Sequence, residues 1–416
     1  NILSDLHFCY VWIVFQEGRD FDEPTMDAAS PYAILFHSLT LIPIYHYIVL
    51  CWLLVLAFLY NFLEIHFFSD LSCLFRGRSV TLTYHHSSEL YQFVVSRCKV
   101  LHGRFQPTPW LASPHLQTVF LSIFGKSPDV KYTRNLFPCS DGGTIALDWL
   151  MACNGTGAKD KKSPVMIVIP GLTSDSSSPY VKHFAFEIAK GGWNVVVSNH
   201  RGLGGISITS DRFYNAGWTE DVRNVIEYIR NQYPECHIYA VGTSIGANVL
   251  VKYLGEEGPR TPLVGAAAIC SPWDLVICDR FINRRLAQRF YDRALAIGLQ
   301  GYAKLHQSVL ARLIDWNGIE MSRSVRDFDN YATRVLGKFE TVDTYYRRAS
   351  CVDSLTNVKV PLLCISSLDD PVCTREAIPL DECRANINVV LATTPQGGHL
   401  AYYEGFKASS LWLFTF

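Results

Sequence analysis

The chain has 416 residues, and its 37 basic side chains against 38 acidic ones leave a net charge of −1, with no global field for holding nucleic acid. A hydrophobic share of 49% with only 18% charged residues excludes an intrinsically disordered chain. The 13 cysteines are scattered without a Cys-x-x-Cys pair, so no zinc or disulfide framework is indicated. Those inside apolar runs, such as Cys270 and Cys364, read as small core hydrophobes, and neither a metal nor an organic cofactor is expected.

In chain order, the first strong signal is LIPIYHYIVLCWLLVLAFLYNFL over 41–63, which carries no formal charge. At about 1.5 Å per residue it covers a hydrocarbon core of about 30 Å, so a single membrane-anchoring helix is expected, with a monotopic or buried helix as the alternative. Pro43, His46 and Asn61 are its interruptions. Before it lie Glu17, Asp20, Asp22, Glu23 and Asp27 with only Arg19, and after it come Arg76 and Arg78, a bias that orients the downstream domain to the cytosol. The sequon Asn154-Gly155-Thr156 argues the other way. A cleavable signal peptide is not expected, because a basic start and a small-residue cleavage site are missing. Met26 is the first methionine and reads as the natural start, with 1–25 upstream of it. The expected organisation is a tail over 1–40, an anchor over 41–63, a linker over 64–99 and one catalytic domain over 100–416.

Past residue 100, short β-branched runs alternate with helical periods, the pattern of an α/β domain with a mostly parallel sheet and helices on both faces. Eight strands are predicted, at 131–137, 144–150, 165–169, 194–198, 237–241, 263–269, 361–366 and 388–392. The first two flank Asp141-Gly142-Gly143, so the sheet opens with an antiparallel hairpin before running parallel. Helices are predicted over 180–190 and 219–231, the latter with Val222, Val225, Ile226 and Ile229 on one face. The Arg-rich helical stretch of about 271–354 (Arg280, Arg284, Arg285, Arg289, Arg293) reads as a cap inserted over the carboxyl ends of the strands, where ligands bind in open α/β sheets.

The chemistry-bearing run is Gly242-Thr243-Ser244-Ile245-Gly246, between the apolar strand HIYAV and the helix-prone ANVLVKYLGEEG. A strand, a tight glycine-flanked turn and a helix form a nucleophile elbow, which projects the serine hydroxyl outward. Such a hydroxyl needs an imidazole to take its proton, and His399 of Gly397-Gly398-His399 follows the last strand; His115 and His200 both precede the serine and read as structural or pocket-lining. The imidazole needs a carboxylate, supplied after the strand PLLCIS by Asp370, favoured over Asp369; Asp274 is a further rival and Asp221 lies too early. Developing negative charge needs backbone donors, assigned to the amides of Ile245 and, from Pro170-Gly171-Leu172-Thr173, of Leu172.

With these residues in place, the chain resembles the α/β-hydrolase superfamily, and within it the embryogenesis-associated-protein-like branch of plants, related to membrane-anchored abhydrolase-domain proteins of animals and YheT-like hydrolases of bacteria. The resemblance spans about 80–405 and rests on Ser113-Pro114-His115-Leu116-Gln117-Thr118, Ser140-Asp141-Gly142-Gly143, Pro170-Gly171-Leu172-Thr173, Asn199-His200-Arg201-Gly202 and Gly242-Thr243-Ser244-Ile245-Gly246. It implies a membrane-anchored serine esterase or lipase acting on lipid or other hydrophobic esters through an acyl-enzyme, with Ser244 as nucleophile, Asp370 as acid and His399 as base. No nucleic acid and no obligate protein partner is implied. The alternatives are an acyltransferase that passes the acyl group to an alcohol and a catalytically silent ligand receptor. In contrast to the resembled family, SSLWLFTF follows the histidine without a closing helix, which reads as a shortened C-terminus.

Overall fold

The computed structural model describes residues 30–65, 76–152, 163–408 and 410–414. The acidic flank before the apolar run, Met26 and the sequon at Asn154 lie outside them. By contacts the chain divides into two units, Asn1–Phe58 and Leu59–Phe416.

In the first unit, helix α1 (Pro31–Thr40) is capped by the Ser30 hydroxyl, which accepts from the Ala33 N–H. It stops short of Pro43, which cannot continue a helix, and α2 (Ile44–Asn61) begins beyond. The apolar run of 41–63 is therefore helical over 18 residues, about 27 Å at 1.5 Å each. Among the described residues α2 is the one helix long and apolar enough to cross a membrane, and none of its residues is buried.

The second unit is built on a nine-stranded sheet. All eight expected strands form, as β2 (Thr133–Pro138), β3 (Thr144–Leu150), β4 (Val165–Ile169), β5 (Asn194–Ser198), β6 (Ile238–Thr243), β7 (Gly265–Ile269), β8 (Leu362–Ser367) and β9 (Val389–Thr394). The ninth, β1 (Thr81–Tyr84), comes from the stretch expected to be a linker, and the linker reading of 64–99 is corrected accordingly. Four residues with only one buried position carry too little periodicity to be seen in sequence; pairing with β9 is what makes them a strand. The order across the sheet is β1-β9-β8-β7-β6-β4-β5-β3-β2. The six strands from β9 to β5 are parallel, and β1 and the β2–β3 hairpin flank them antiparallel. The hairpin turns where expected: Gly142 has φ +79°, and the Asp141 carboxylate accepts from the Gly143 N–H at 3.1 Å.

Because β4 to β9 are covered on both faces, their sequences are near-continuous apolar runs rather than alternating ones. Helices α3 (Pro114–Phe124), α4 (Pro179–Lys190), α5 (Glu220–Gln232) and α6 (Ile245–Glu257) connect and cover the strands. On α5, Val222, Val225, Ile226 and Ile229 are all buried, each worth about 1.5–3 kcal/mol as an upper estimate. The cap stretch is helical as expected, led by α7 (Leu275–Ile282) and α8 (Leu286–Leu305) and ending in α9 (Val342–Ala349). It is tied to the loop after β5, where the Tyr302 hydroxyl donates to the Arg201 carbonyl and the His306 ring to the Gly202 carbonyl, both at 2.7 Å.

Candidate active site

The turn between β6 and α6 holds Ser244 at φ +52°, a left-handed conformation that costs a non-glycine residue about 1–3 kcal/mol. Its neighbours explain why the motif needs glycine on both sides. A Cβ on Gly242 would strike the Gly246 carbonyl, and one on Gly246 would strike the Ile169 carbonyl at the end of β4. The turn therefore closes only where backbone approaches backbone, and the serine hydroxyl is left facing outward.

His399 lies on the loop after β9, shaped by positive φ at Gly397 and Gly398. Its Nε2 stands 3.0 Å from the Ser244 Oγ and its Nδ1 2.8 Å from the Asp370 Oδ2. The other oxygen of Asp370 accepts the N–H groups of Val372 and Cys373, each at 2.8 Å. A carboxylate can only accept, so facing Asp370 Oδ2 the Nδ1 carries the proton and Nε2 is free to accept the one from Ser244.

The rival residues stand elsewhere. Asp369 turns away from the imidazole: its Oδ1 accepts the Gly398 N–H at 2.9 Å and the Ser367 hydroxyl. Burial, reinforced by the neighbouring Asp370 charge, pushes the Asp369 carboxyl up to about 7. Asp274 caps α7, accepting from the Val276 and Ile277 N–H groups at 2.8 and 3.0 Å. Asp221 forms a two-pronged pair with Arg201, whose guanidinium also reaches Asp141 at 2.6 Å, so the Ser140–Gly143 and Asn199–Gly202 motifs meet in one ion cluster around the buried Arg201. His115 pairs with the Tyr291 hydroxyl at 3.2 Å. His200 donates to the Pro170 carbonyl at 2.9 Å, with burial holding its pKa below the usual imidazole value.

That last contact bears on the loop expected to supply an anion donor. The loop carrying Leu172 is fixed at the Pro170 carbonyl by His200, at the Gly171 N–H by the Tyr180 hydroxyl at 2.9 Å and at the Thr173 N–H by the Tyr214 hydroxyl at 3.1 Å. Gly171 sits so close to Ser244 that a Cβ there would lie 3.3 Å from the serine Cβ. Ile245 is the first residue of α6, a position whose N–H has no acceptor within its own helix. Leu172 and Ile245 line the same cavity as Ser244 and His399.

The cavity has a volume of about 440 Å³, within the usual range for small-molecule sites. Leu172 and Phe213 from the sheet side and Leu275, Ile282, Leu295 and Leu299 from the cap give it a largely apolar lining. Three cap carboxyls, Asp279, Asp292 and Asp329, also line it, all with pKa values raised by burial. Asp329 is pushed up to about 7, the effect of burial outweighing hydrogen bonds from the Thr333 and Tyr346 hydroxyls. Among the described residues, the one grouping with metal-ligand spacing is Cys270, Asp370 and His399. It consists of the His–Asp pair itself and a thiol whose pKa burial raises, a poor ligand in its protonated form.

Three contributors at this site went unread in the sequence: Tyr180, Asp329 and Thr118. Thr118 had a signal, since it ends the Ser113–Thr118 motif, but the motif did not reveal what it touches.

The sequence model of the family described as serine aminopeptidase, S33 (Hydrolase_4), matches residues 160–406. The embryogenesis-associated protein EMB8 of Picea glauca is 37% identical over 323 residues, covering 76% of this chain and 71% of that protein. The human phospholipase ABHD3 is 32% identical over 315 residues, covering 76% of this chain and 77% of that protein. The monoacylglycerol lipase of Saccharomyces cerevisiae is 28% identical over 339 residues, covering 71% and 75%. Since the family model takes in more than half of the chain and the relatives align along most of their own length, the protein belongs to the Hydrolase_4 family of α/β-hydrolases.

Proposed function

We propose that the protein is a membrane-anchored serine hydrolase of lipid carboxylic esters, with Ser244 as nucleophile, His399 as general base and acid, and Asp370 as the carboxylate that orients it. The observation that carries this reading is the unbroken hydrogen-bond chain from the Ser244 hydroxyl through both ring nitrogens of His399 to Asp370, opening on an apolar cavity.

In the proposed cycle, the ester carbonyl enters beside Ser244 with its oxygen toward the amides of Leu172 and Ile245. As Oγ attacks, His399 Nε2 takes its proton and the imidazolium is stabilised by Asp370. The two amides stabilise the tetrahedral oxyanion; one such donor is worth about 100- to 1,000-fold in rate. His399 returns the proton to the leaving alcohol, and water then repeats the sequence on the acyl-enzyme. A lipid substrate is supported by the apolar lining, by an anchor that holds the domain where such esters partition, and by relatives named as a phospholipase and a monoacylglycerol lipase. The anchor reading rests on α2, and Arg76 and Arg78 beyond it favour a cytosolic catalytic domain.

The test is labelling of the full-length protein by a fluorophosphonate probe together with fatty-acid release from phospholipid and monoacylglycerol in mixed micelles. Wild type is expected to label and release fatty acid, and Ser244→Ala to do neither. A folded wild type that neither labels nor hydrolyses overturns the proposal in favour of a silent receptor.

A further inference from the structure

We infer that Thr118 and Asp369 are positioning residues that hold the His399 imidazole in register by clamping the backbone of its loop from two independent walls; this rests on the reading of His399 as the base. The loop needs such anchors. It carries positive φ at Gly397, Gly398, Leu400 and Tyr402, and its internal backbone bond is Tyr402 N–H to the Gly397 carbonyl at 2.9 Å. Left-handed conformations at Leu400 and Tyr402 persist only where the surroundings over-determine them.

On one wall, the His399 N–H donates to the Thr118 Oγ1 at 2.9 Å. The Thr118 hydroxyl in turn donates its own hydrogen to the Pro114 carbonyl one helical turn back, at 2.7 Å. A hydroxyl has one hydrogen and two acceptor sites, so committing the hydrogen to Pro114 leaves lone pairs to receive the His399 amide. Thr118 is buried, and the contact is close enough that a Cβ on Gly398 would collide with its hydroxyl. This assigns a purpose to the Ser113–Thr118 motif: Ser113 starts α3 by accepting the Leu116 N–H, and the helix delivers Thr118 to the base-bearing loop.

On the other wall, Asp369 Oδ1 accepts the Gly398 N–H at 2.9 Å and the Ser367 hydroxyl, while Oδ2 has no hydrogen-bond partner. Only one oxygen is engaged, so the clamp survives protonation at Oδ2, and an asparagine with its carbonyl in the Oδ1 position reproduces it. Asp369 sits beside the orienting acid without touching the ring, and it acts on the backbone of Gly398, the residue before His399. Two consecutive amides, of Gly398 and His399, are thus gripped by side chains from a helix and from a strand end that are remote in sequence.

The experiment compares Thr118→Val with Thr118→Ser and Asp369→Ala with Asp369→Asn, alongside Ser244→Ala and His399→Ala, measuring kcat, KM, fluorophosphonate labelling rate and melting temperature. A displacement of about 1 Å at a catalytic group costs on the order of 100-fold. Thr118→Val and Asp369→Ala are therefore each expected to lower kcat and the labelling rate by about 10- to 100-fold with KM within twofold, and Thr118→Ser and Asp369→Asn to restore them. A general packing defect would lower the melting temperature without this split or this rescue. If Thr118→Val does not fold, the Asp369 pair decides alone. Wild-type kcat in Thr118→Val and Asp369→Ala, with Ser244→Ala and His399→Ala inactive, overturns the clamp and leaves the base reading standing. Activity retained in His399→Ala overturns the base reading itself.

Discussion

Replacing Asp370 by asparagine changes one atom, and the surrounding donors dictate the outcome. Oδ1 of Asp370 accepts two backbone N–H groups, from Val372 and Cys373, so in Asp370→Asn the amide oxygen must stay there. Rotating the amide the other way would set its NH2 against two donors, leaving three buried groups unpaired at about 1–3 kcal/mol each. The NH2 is thus forced toward His399 Nδ1, 2.8 Å away, and Nδ1 can meet it only as an acceptor. The ring proton moves to Nε2, where it faces the Ser244 hydroxyl at 3.0 Å and can no longer take its hydrogen. A trapped tautomer of this kind costs on the order of 10⁴ in kcat, about 5.5 kcal/mol of barrier. Steady-state hydrolysis of a soluble p-nitrophenyl ester between pH 6 and 9 measures it, with Asp369→Asn as the control that keeps wild-type kcat. An Asp370→Asn enzyme within tenfold of wild type, or an equal loss in Asp369→Asn, would refute the assignment of the acid.

Gly246→Ala drives a Cβ into the backbone carbonyls of Ile169 and Pro170, neither of which can rotate away, so a loss of about 1–3 kcal/mol in denaturant stability and failure to label with fluorophosphonate are expected. The Asp329 carboxyl is raised from 3.8 to about 7, so its contribution to stability is fully present below pH 3.8 and is lost as pH rises through about 7. Between pH 5.5 and 8.5 this amounts to about 2 kcal/mol, and thermal melts across that range should show a flatter profile in Asp329→Asn than in wild type. The proposed anchor is tested by Leu53→Arg combined with Leu56→Arg, which places two charges near the middle of α2 at about 2.5–3.5 kcal/mol each in a bilayer and is expected to shift the protein from a carbonate-resistant membrane pellet to the soluble fraction.

The central strands and the elbow were legible because their signals are local. A strand buried on both faces writes itself as an apolar run, and the close approach of backbone carbonyls, of residue 246 to Gly242 and of Ile169 to Gly246, forces glycine at a fixed spacing around the serine. Asp370 and His399, which the structure places in one hydrogen-bond chain with Ser244, were singled out through the order in which this topology supplies its side chains, each just past a strand. Long-range partnership was not legible. Thr81–Tyr84 is a strand only because β9 lies beside it, and nothing near Thr118 indicates that its hydroxyl meets an amide 281 positions away. Asp329 escaped for the same reason, since its raised pKa comes from burial by the cap rather than from any neighbour in sequence.

The pairing of β1 with β9 carries a consequence for biosynthesis. The Thr393 hydroxyl meets the Thr81 carbonyl across 312 positions, so the first strand of the nine-stranded sheet waits for that sheet's last during translation. Closing so long a loop adds little to the equilibrium cost, because that cost grows only with the logarithm of length; it weighs on the rate instead. Until β9 leaves the ribosome, β8 presents an unpaired edge and β1 has nothing to bond, the condition in which nascent chains recruit chaperones or aggregate. The loop of His399 follows β9 directly, so Ser244 is made 155 positions before the imidazole that meets its hydroxyl.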